Sequence, residues 1–79
     1  MKIIFSNHAE IKIKQRKLSK DLLNETITAP DFIIPSNSSR ERAYKKFRKQ
    51  YIEVVFIKKG ITIVVITAHW VAKFKKSKI

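Results

Sequence analysis

YIEVVFIKKGITIVVITAHW, residues 51 to 70, contains two runs of β-branched and aromatic residues, Tyr51 to Ile57 and Ile61 to Trp70, parted by the only glycine of the chain. Such runs read as strands. Lys58-Lys59-Gly60 between them offers the positive φ that a hairpin turn needs, so the two strands are expected to form the centre of an antiparallel sheet. Strict alternation along the second strand places Ile63, Val65, Thr67 and His69 on one face and Val64, Ile66, Ala68 and Trp70 on the other. Trp70 is assigned to the core rather than to base stacking, because a long apolar strand leads into it.

Upstream of the hairpin, Phe32-Ile33-Ile34 lies between Pro30 and Pro35, a polar turn covers Ser36 to Ser39, and Arg40 to Phe47 reads as a further strand before a turn at Arg48-Lys49-Gln50. Met1 to Phe5 is short and apolar, and Ser6 or Asn7 can cap a helix after it. From His8 to Lys17 two patterns compete. Glu10, Lys12 and Lys14 alternate with Ile11 and Ile13 as in a strand, whereas Ala9 and Ile13 match one helix face. The cap and the prevalence of Ala, Glu, Lys, Gln and Arg favour helix. Ser19 can cap a second helix, Lys20 to Thr28, whose Leu22, Leu23 and Ile27 form an apolar face that stops before Pro30. The expected fold is α+β, with two short N-terminal helices packed on a four-stranded, mainly antiparallel twisted sheet. Residues 1–72 are read as one domain and 73–79 as a flexible basic tail.

A chain of 79 residues can build a single core. It has no cysteine for a disulfide or a Cys/His zinc site. Ile3-Ile4-Phe5 is too short for a signal-peptide core, and Ile61 to Ala72 is too short to span a bilayer, so a cytoplasmic protein without a membrane partner is expected. Eighteen Lys and Arg against six Asp and Glu leave a formal charge of +12. Self-repulsion of that size suits a polyanionic partner. Residues 35 to 59 hold eight basic and two acidic residues, and 60 to 79 hold four basic and none acidic, so the field points from the second half. Solubility through surface lysine and membrane-surface binding by the tail are the competing readings of that charge.

His8, Lys12 and Arg16 fall at i, i+4 and i+8, one stripe of nitrogen-bearing side chains along the first helix. RNA cleavage needs a base for the 2′-hydroxyl, cationic donors for the phosphorane and an acid for the 5′-oxygen, roles that histidine and arginine fill. The plain alternative for this stripe is an ordinary solvated helix face. His69 sits near the end of the last strand, with Thr67 on its own face, where a groove can open. It reads equally as a partly buried histidine satisfied by backbone. RERAYKKFRK, residues 40 to 49, interleaves Tyr44 and Phe47 with six cations, a composition suited to single-stranded nucleic acid. Arg40, Arg42, Tyr44 and Lys46 share one face of that strand, and Lys45 adds charge beside them; the competing reading is an edge strand guarded by lysine. No carboxylate pair or metal-ligand spacing appears, so chemistry without metal or other cofactor is expected.

The segment H-A-x-x-x-I-x-x-R-x-L-S, here His8, Ala9, Ile13, Arg16, Leu18 and Ser19, is followed by Thr28, Pro30 and Asp31, by YKKF at 44–47, by Tyr51-x-x-Val54-Val55-Phe56 and by VVITAHW at 64–70. In order and spacing this resembles the domain-of-unknown-function family 4258 over about residues 3 to 72. The resemblance implies a RelE-like fold, similar to the barnase-, colicin- and RelE-like metal-independent RNases, and an antitoxin as partner. It places functional residues at His8, Arg16 and Thr67, with His69 where an aromatic is common. Ile11 and Lys17 depart from it, standing where a charged residue and a glycine are expected.

Two functions are expected. The first is a toxin-like, metal-independent endoribonuclease of the mRNA interferase type, with His8, Arg16, Thr67 and His69 catalytic, and Lys12, Arg40, Arg42, Tyr44, Lys45 and Lys46 holding RNA. Its partners are RNA, including ribosome-associated mRNA, and an acidic antitoxin. The second is a non-catalytic RNA- or DNA-binding module, or an antitoxin-partner domain, using the same cations without proton transfer.

Overall fold

A computed structural model of the chain describes residues 2–36 and 39–72. Among these residues seven elements succeed one another: β1 (Lys2–Phe5), α1 (Asn7–Gln15), α2 (Lys20–Thr28), β2 (Phe32–Pro35), β3 (Arg40–Phe47), β4 (Gln50–Lys59) and β5 (Thr62–Val71). The hairpin at the centre is longer than alternation of apolar residues suggests. Lys59 pairs with Thr62, so Lys58 and Lys59 belong to β4 and the loop is Gly60-Ile61 alone. Gly60 has φ 60, and Ile61, thrust out at the turn, is 81% exposed.

Among the described residues the sheet has five strands in the order β1-β5-β4-β3-β2, one more than expected. Antiparallel pairing runs from β2 to β5, whereas β1 lies parallel to β5, with Lys2 to Phe5 opposite Thr62 to Val65. A parallel neighbour requires a long crossover, and here α1 through β4 supply it. Pro35 lies on the outer strand β2, where its missing N–H breaks no interior ladder.

Both helices cover one face of the sheet. Ala9, Ile13, Leu18, Leu23 and Ile27 meet Ala43, Ile52, Val54, Phe56, Ile63, Val65 and Ala68 in one core. Ser6 resolves the choice between strand and helix after β1: its hydroxyl accepts the Ala9 N–H as the N-cap of α1. Ser19 caps α2 by accepting from the Asp21 N–H. Between the helices, Lys17 takes φ 54, Leu18 N–H bonds Ile13 C=O and Lys17 N–H bonds Lys14 C=O. This is the Schellman closure that glycine favours, so the residue that departs from the expected glycine occupies a left-handed position.

Alternation along β5 breaks at a bulge. Val55 pairs with Thr67 but Phe56 pairs with Val65, leaving Ile66 as an extra residue. Ile63 and Val65 therefore face the helices together with Ala68, not with Thr67 and His69 as strict alternation requires. A bulge re-aims the side chains that lie beyond it. Here it turns Thr67 and His69 to the side of the sheet away from the helices. Among the described residues no helix is long and apolar enough to cross a membrane. The tail expected at 73–79 lies outside the described residues.

Candidate active site on the open face of the sheet

With the helices on one side, the other side presents the alternate residues of each strand, and the register sets them in rows. Phe32, Tyr44, Glu53 and His69 stand opposite one another across β2, β3, β4 and β5. The next row is Ile34, Arg42, Val55 and Thr67. Arg40 lies beyond it, opposite Ile57, and Lys46 lies at the other end, opposite Tyr51. Direct cross-strand neighbours are close enough for their side chains to touch.

Glu53 is the one carboxylate in these rows, and it is buried, with 7% of its surface exposed. A buried carboxylate persists only where donors surround it. His69 Nε2 lies 2.6 Å from Glu53 Oε1, and Arg42 Nη1 lies 3.9 Å from Oε2. The Tyr44 hydroxyl donates to Oε2. Burial, followed by the hydrogen bond to Glu53 and the charge of Glu53, pushes the Tyr44 hydroxyl up to about 12, against a smaller opposite pull from Arg42. Tyr44 is thus held as a neutral donor. The side chains of His69 and Arg42 are each 38% exposed, so the partners of Glu53 reach the surface although Glu53 does not. Arg42 Nε is buried without a hydrogen-bond partner among the described residues.

The strand that carries His69 is anchored from α1. Because β1 ends opposite Val65, no strand among the described residues pairs with the rest of β5 on that side. Ser6 N–H bonds Val65 C=O at 3.0 Å, Ser6 Oγ donates to Ile66 C=O at 3.3 Å, and Arg16 Nη1 donates to Ala68 C=O at 2.8 Å. The N-cap of the helix thus also pins the bulge, and Arg16 holds the residue before His69.

The expected site residues divide accordingly. His69, Thr67, Arg42, Arg40, Tyr44 and Lys46 share the open face. Tyr44 cannot serve there as a free stacking platform: it is 4% exposed, its ring stacks on Phe32 with centroids 5.1 Å apart, and its hydroxyl is engaged by Glu53. Lys45 pairs with Ile52 and so points to the helix side, where Nζ bonds Ala29 C=O at 2.9 Å and lies 3.9 Å from Asp31 Oδ1. That contact ties the end of α2 to β3, which accounts for Lys45 without nucleic acid. His8 is exposed on the first turn of α1, and its side chain makes no hydrogen bond or ion pair with the described residues. It therefore does not join His69. Lys12, half-buried, bonds Gln15 Oε1 at 3.4 Å, and Arg16, the last member of the stripe, reaches β5.

Glu53 was not among the residues singled out in the sequence. The signal is present nonetheless, since a lone carboxylate in the middle of YIEVVFI either disrupts the strand or is met by buried donors. Among the described residues no three His, Cys, Asp or Glu side chains gather as a metal site.

A two-helix layer on one sheet face and, on the other, a buried glutamate paired with a half-exposed histidine define a small α+β domain with a candidate acid–base site. Residues 5–70 match the domain of unknown function DUF4258, and the chain belongs to that family. A similar solved structure is that of the ribonuclease toxin BrnT of Brucella abortus, with a TM-score of 0.73 and 25% sequence identity over 92% of this chain and 99% of that one. No curated protein matches the sequence.

Proposed function

We propose that this chain is a toxin-like, metal-independent endoribonuclease of the RelE-like mRNA interferase kind, acting from the open face of the sheet and held in check by an acidic antitoxin. The observation that carries the reading is the contact of a buried carboxylate with a half-exposed imidazole, 2.6 Å, on a face that also carries the cations Arg40, Arg42 and Lys46. Burial supports a division of roles. Glu53 is too enclosed to meet a substrate, whereas His69 reaches the surface. With its Nε2 hydrogen committed to Glu53, His69 offers Nδ1 as acceptor, the arrangement by which a carboxylate fixes the tautomer of a catalytic histidine. His69 takes the 2′-hydroxyl proton as the 2′-oxygen attacks phosphorus. The P–O5′ bond breaks, and the imidazolium returns the proton to the leaving 5′-oxygen, leaving a 2′,3′-cyclic phosphate. Arg42 faces the charge that grows on the phosphorane, with Arg40 and Lys46 along the RNA backbone. Thr67, on the same face two residues before His69 and separated from Arg42 by Val55, is proposed to orient the substrate. Arg16 acts chiefly by positioning β5 and with its remaining donors as a clamp. Similarity to a ribonuclease toxin supports the same direction.

The test is cleavage of single-stranded RNA by the purified chain in the presence of a chelator, compared with His69→Ala and His8→Ala. The expected outcome is metal-independent cleavage that falls about a hundredfold to ten-thousandfold in His69→Ala and stays near the parent in His8→Ala. Cleavage that survives loss of His69 would remove the basis of the proposal.

A further inference from the structure

Where β3 turns into β4, at the end of the sheet, an open groove of about 620 Å³ is lined by Leu22, Phe47, Arg48, Lys49, Gln50 and Trp70. Leu22, Phe47 and Trp70 pack against the helix-side core with part of their surface and leave the rest to the groove. Among the described residues no carboxylate lines it. Phe47 pairs with Gln50, so the loop is Arg48-Lys49 alone, and Arg48 takes φ 61. A two-residue hairpin loop favours glycine or asparagine at such a position. The turn therefore carries a cation at a place where the backbone would prefer none.

The geometry points to this groove as a base-accepting subsite for single-stranded RNA. An unpaired nucleobase stacks against Trp70 and Phe47, the Gln50 amide meets its polar edge, and Arg48 with Lys49 holds the adjoining phosphate. The inference rests on the ribonuclease reading and extends it to a second nucleotide. Trp70 directly follows His69 and points to the opposite side of the sheet, so a strand leaving the open face reaches the groove by rounding the end of β3 to β5. Arg42 and Lys46 on the open face, then Arg48 and Lys49 at the turn, form the cationic path for its backbone. Two aromatic rings beside an amide match the flat face and polar edge of a base.

Trp70 is the only tryptophan of the chain, so its emission reports on this groove. The experiment titrates the full chain with a short, fluorescently labelled, cleavage-resistant 2′-O-methyl oligonucleotide, and follows anisotropy of the label and tryptophan emission together. An abasic oligomer of equal length and an acidic, leucine-containing helical peptide are the comparison probes. The expected result is that the oligonucleotide raises anisotropy and quenches Trp70, while the abasic oligomer raises anisotropy alone. Phe47→Leu should weaken oligonucleotide binding about tenfold, the loss of one base–aromatic stack. Arg48→Gly should weaken it several-fold and raise the thermal midpoint, since glycine relieves the turn as the phosphate contact is lost. Anisotropy that rises while Trp70 emission stays constant overturns the subsite and leaves the open-face reading standing. So does equal quenching by the abasic oligomer, or a response to the peptide and not to RNA. Absence of any anisotropy change overturns the ribonuclease reading and the subsite with it.

Discussion

Replacing Glu53 by glutamine separates an acid–base site from a merely basic surface, because it moves binding and cleavage in opposite directions. Glutamine keeps the size of the side chain and can still accept from the Tyr44 hydroxyl, so that buried donor stays satisfied. What disappears is the charge facing His69 at 2.6 Å and Arg42 at 3.9 Å. Hydrogen bonds to charged groups contribute about 1.5–3 kcal/mol, and since both partners are 38% exposed, water replaces part of the loss. The expected cost to stability is therefore about 1–2 kcal/mol, measured by urea denaturation. Formal charge rises by one from +12, and the carboxylate amid Arg40, Arg42 and Lys46 is gone, so RNA affinity should increase. Cleavage should fall about a hundredfold to ten-thousandfold, because His69 loses the group that fixes its tautomer and balances the charge it acquires. The assay pairs filter binding with initial rates on one RNA, both under single-turnover conditions. A variant that binds more tightly and cleaves as fast as the parent would refute the role given to Glu53.

Four further outcomes are expected. Lys17→Gly should stabilise the fold by about 1 kcal/mol, read as a higher denaturation midpoint, because Lys17 at φ 54 closes α1 in a left-handed conformation. Ser6→Ala should cost about 1 kcal/mol from the N-cap alone and should also lower cleavage, since Ser6 tethers the bulge that aims His69; unchanged cleavage would show that the tether is dispensable. Tyrosinate absorbance should show one transition near pH 12 that Tyr44→Phe abolishes. Because that hydroxyl is raised above its ordinary 10.0, its contribution to stability is complete below pH 10 and is lost as pH rises through about 12, which alkaline denaturation of the two proteins measures. RNA affinity should drop on the order of a hundredfold between low and physiological salt, and a flat response would exclude backbone phosphates as the main contact.

The central hairpin, the serine caps and the shared face of Arg40, Arg42, Tyr44 and Lys46 are legible in the sequence because each rests on local chemistry: β-branched runs, a hydroxyl before a helix, alternation along one strand. The features that are not legible depend on partners distant along the chain. Nothing in Val64-Val65-Ile66-Thr67 marks Ile66 as the extra residue, yet that bulge moves His69 to the face of Glu53. The parallel pairing of β1 with β5 joins segments about sixty residues apart, as in Lys2 opposite Thr62, and the three apolar residues Ile3, Ile4 and Phe5 alone do not announce it. Tyr44 looks like a stacking platform until Phe32 is known to lie across it. Glu53 is intermediate. Its position in an apolar strand marks it for burial with donors, but only the register identifies those donors as Tyr44, Arg42 and His69. His8, more prominent by motif, is exposed on the helix layer and outside this set.

The chemistry assigned to His69 and Glu53 leaves its signature on the new RNA ends. Cleavage of an end-labelled RNA in chelator, with product termini resolved by mass spectrometry, should give a 2′,3′-cyclic phosphate upstream and a 5′-hydroxyl downstream, and a single 2′-O-methyl group at the cut position should abolish that cut. Products bearing a 5′-phosphate, or cleavage that proceeds through the 2′-O-methyl position, would contradict attack by the 2′-oxygen and with it the site proposed on the open face.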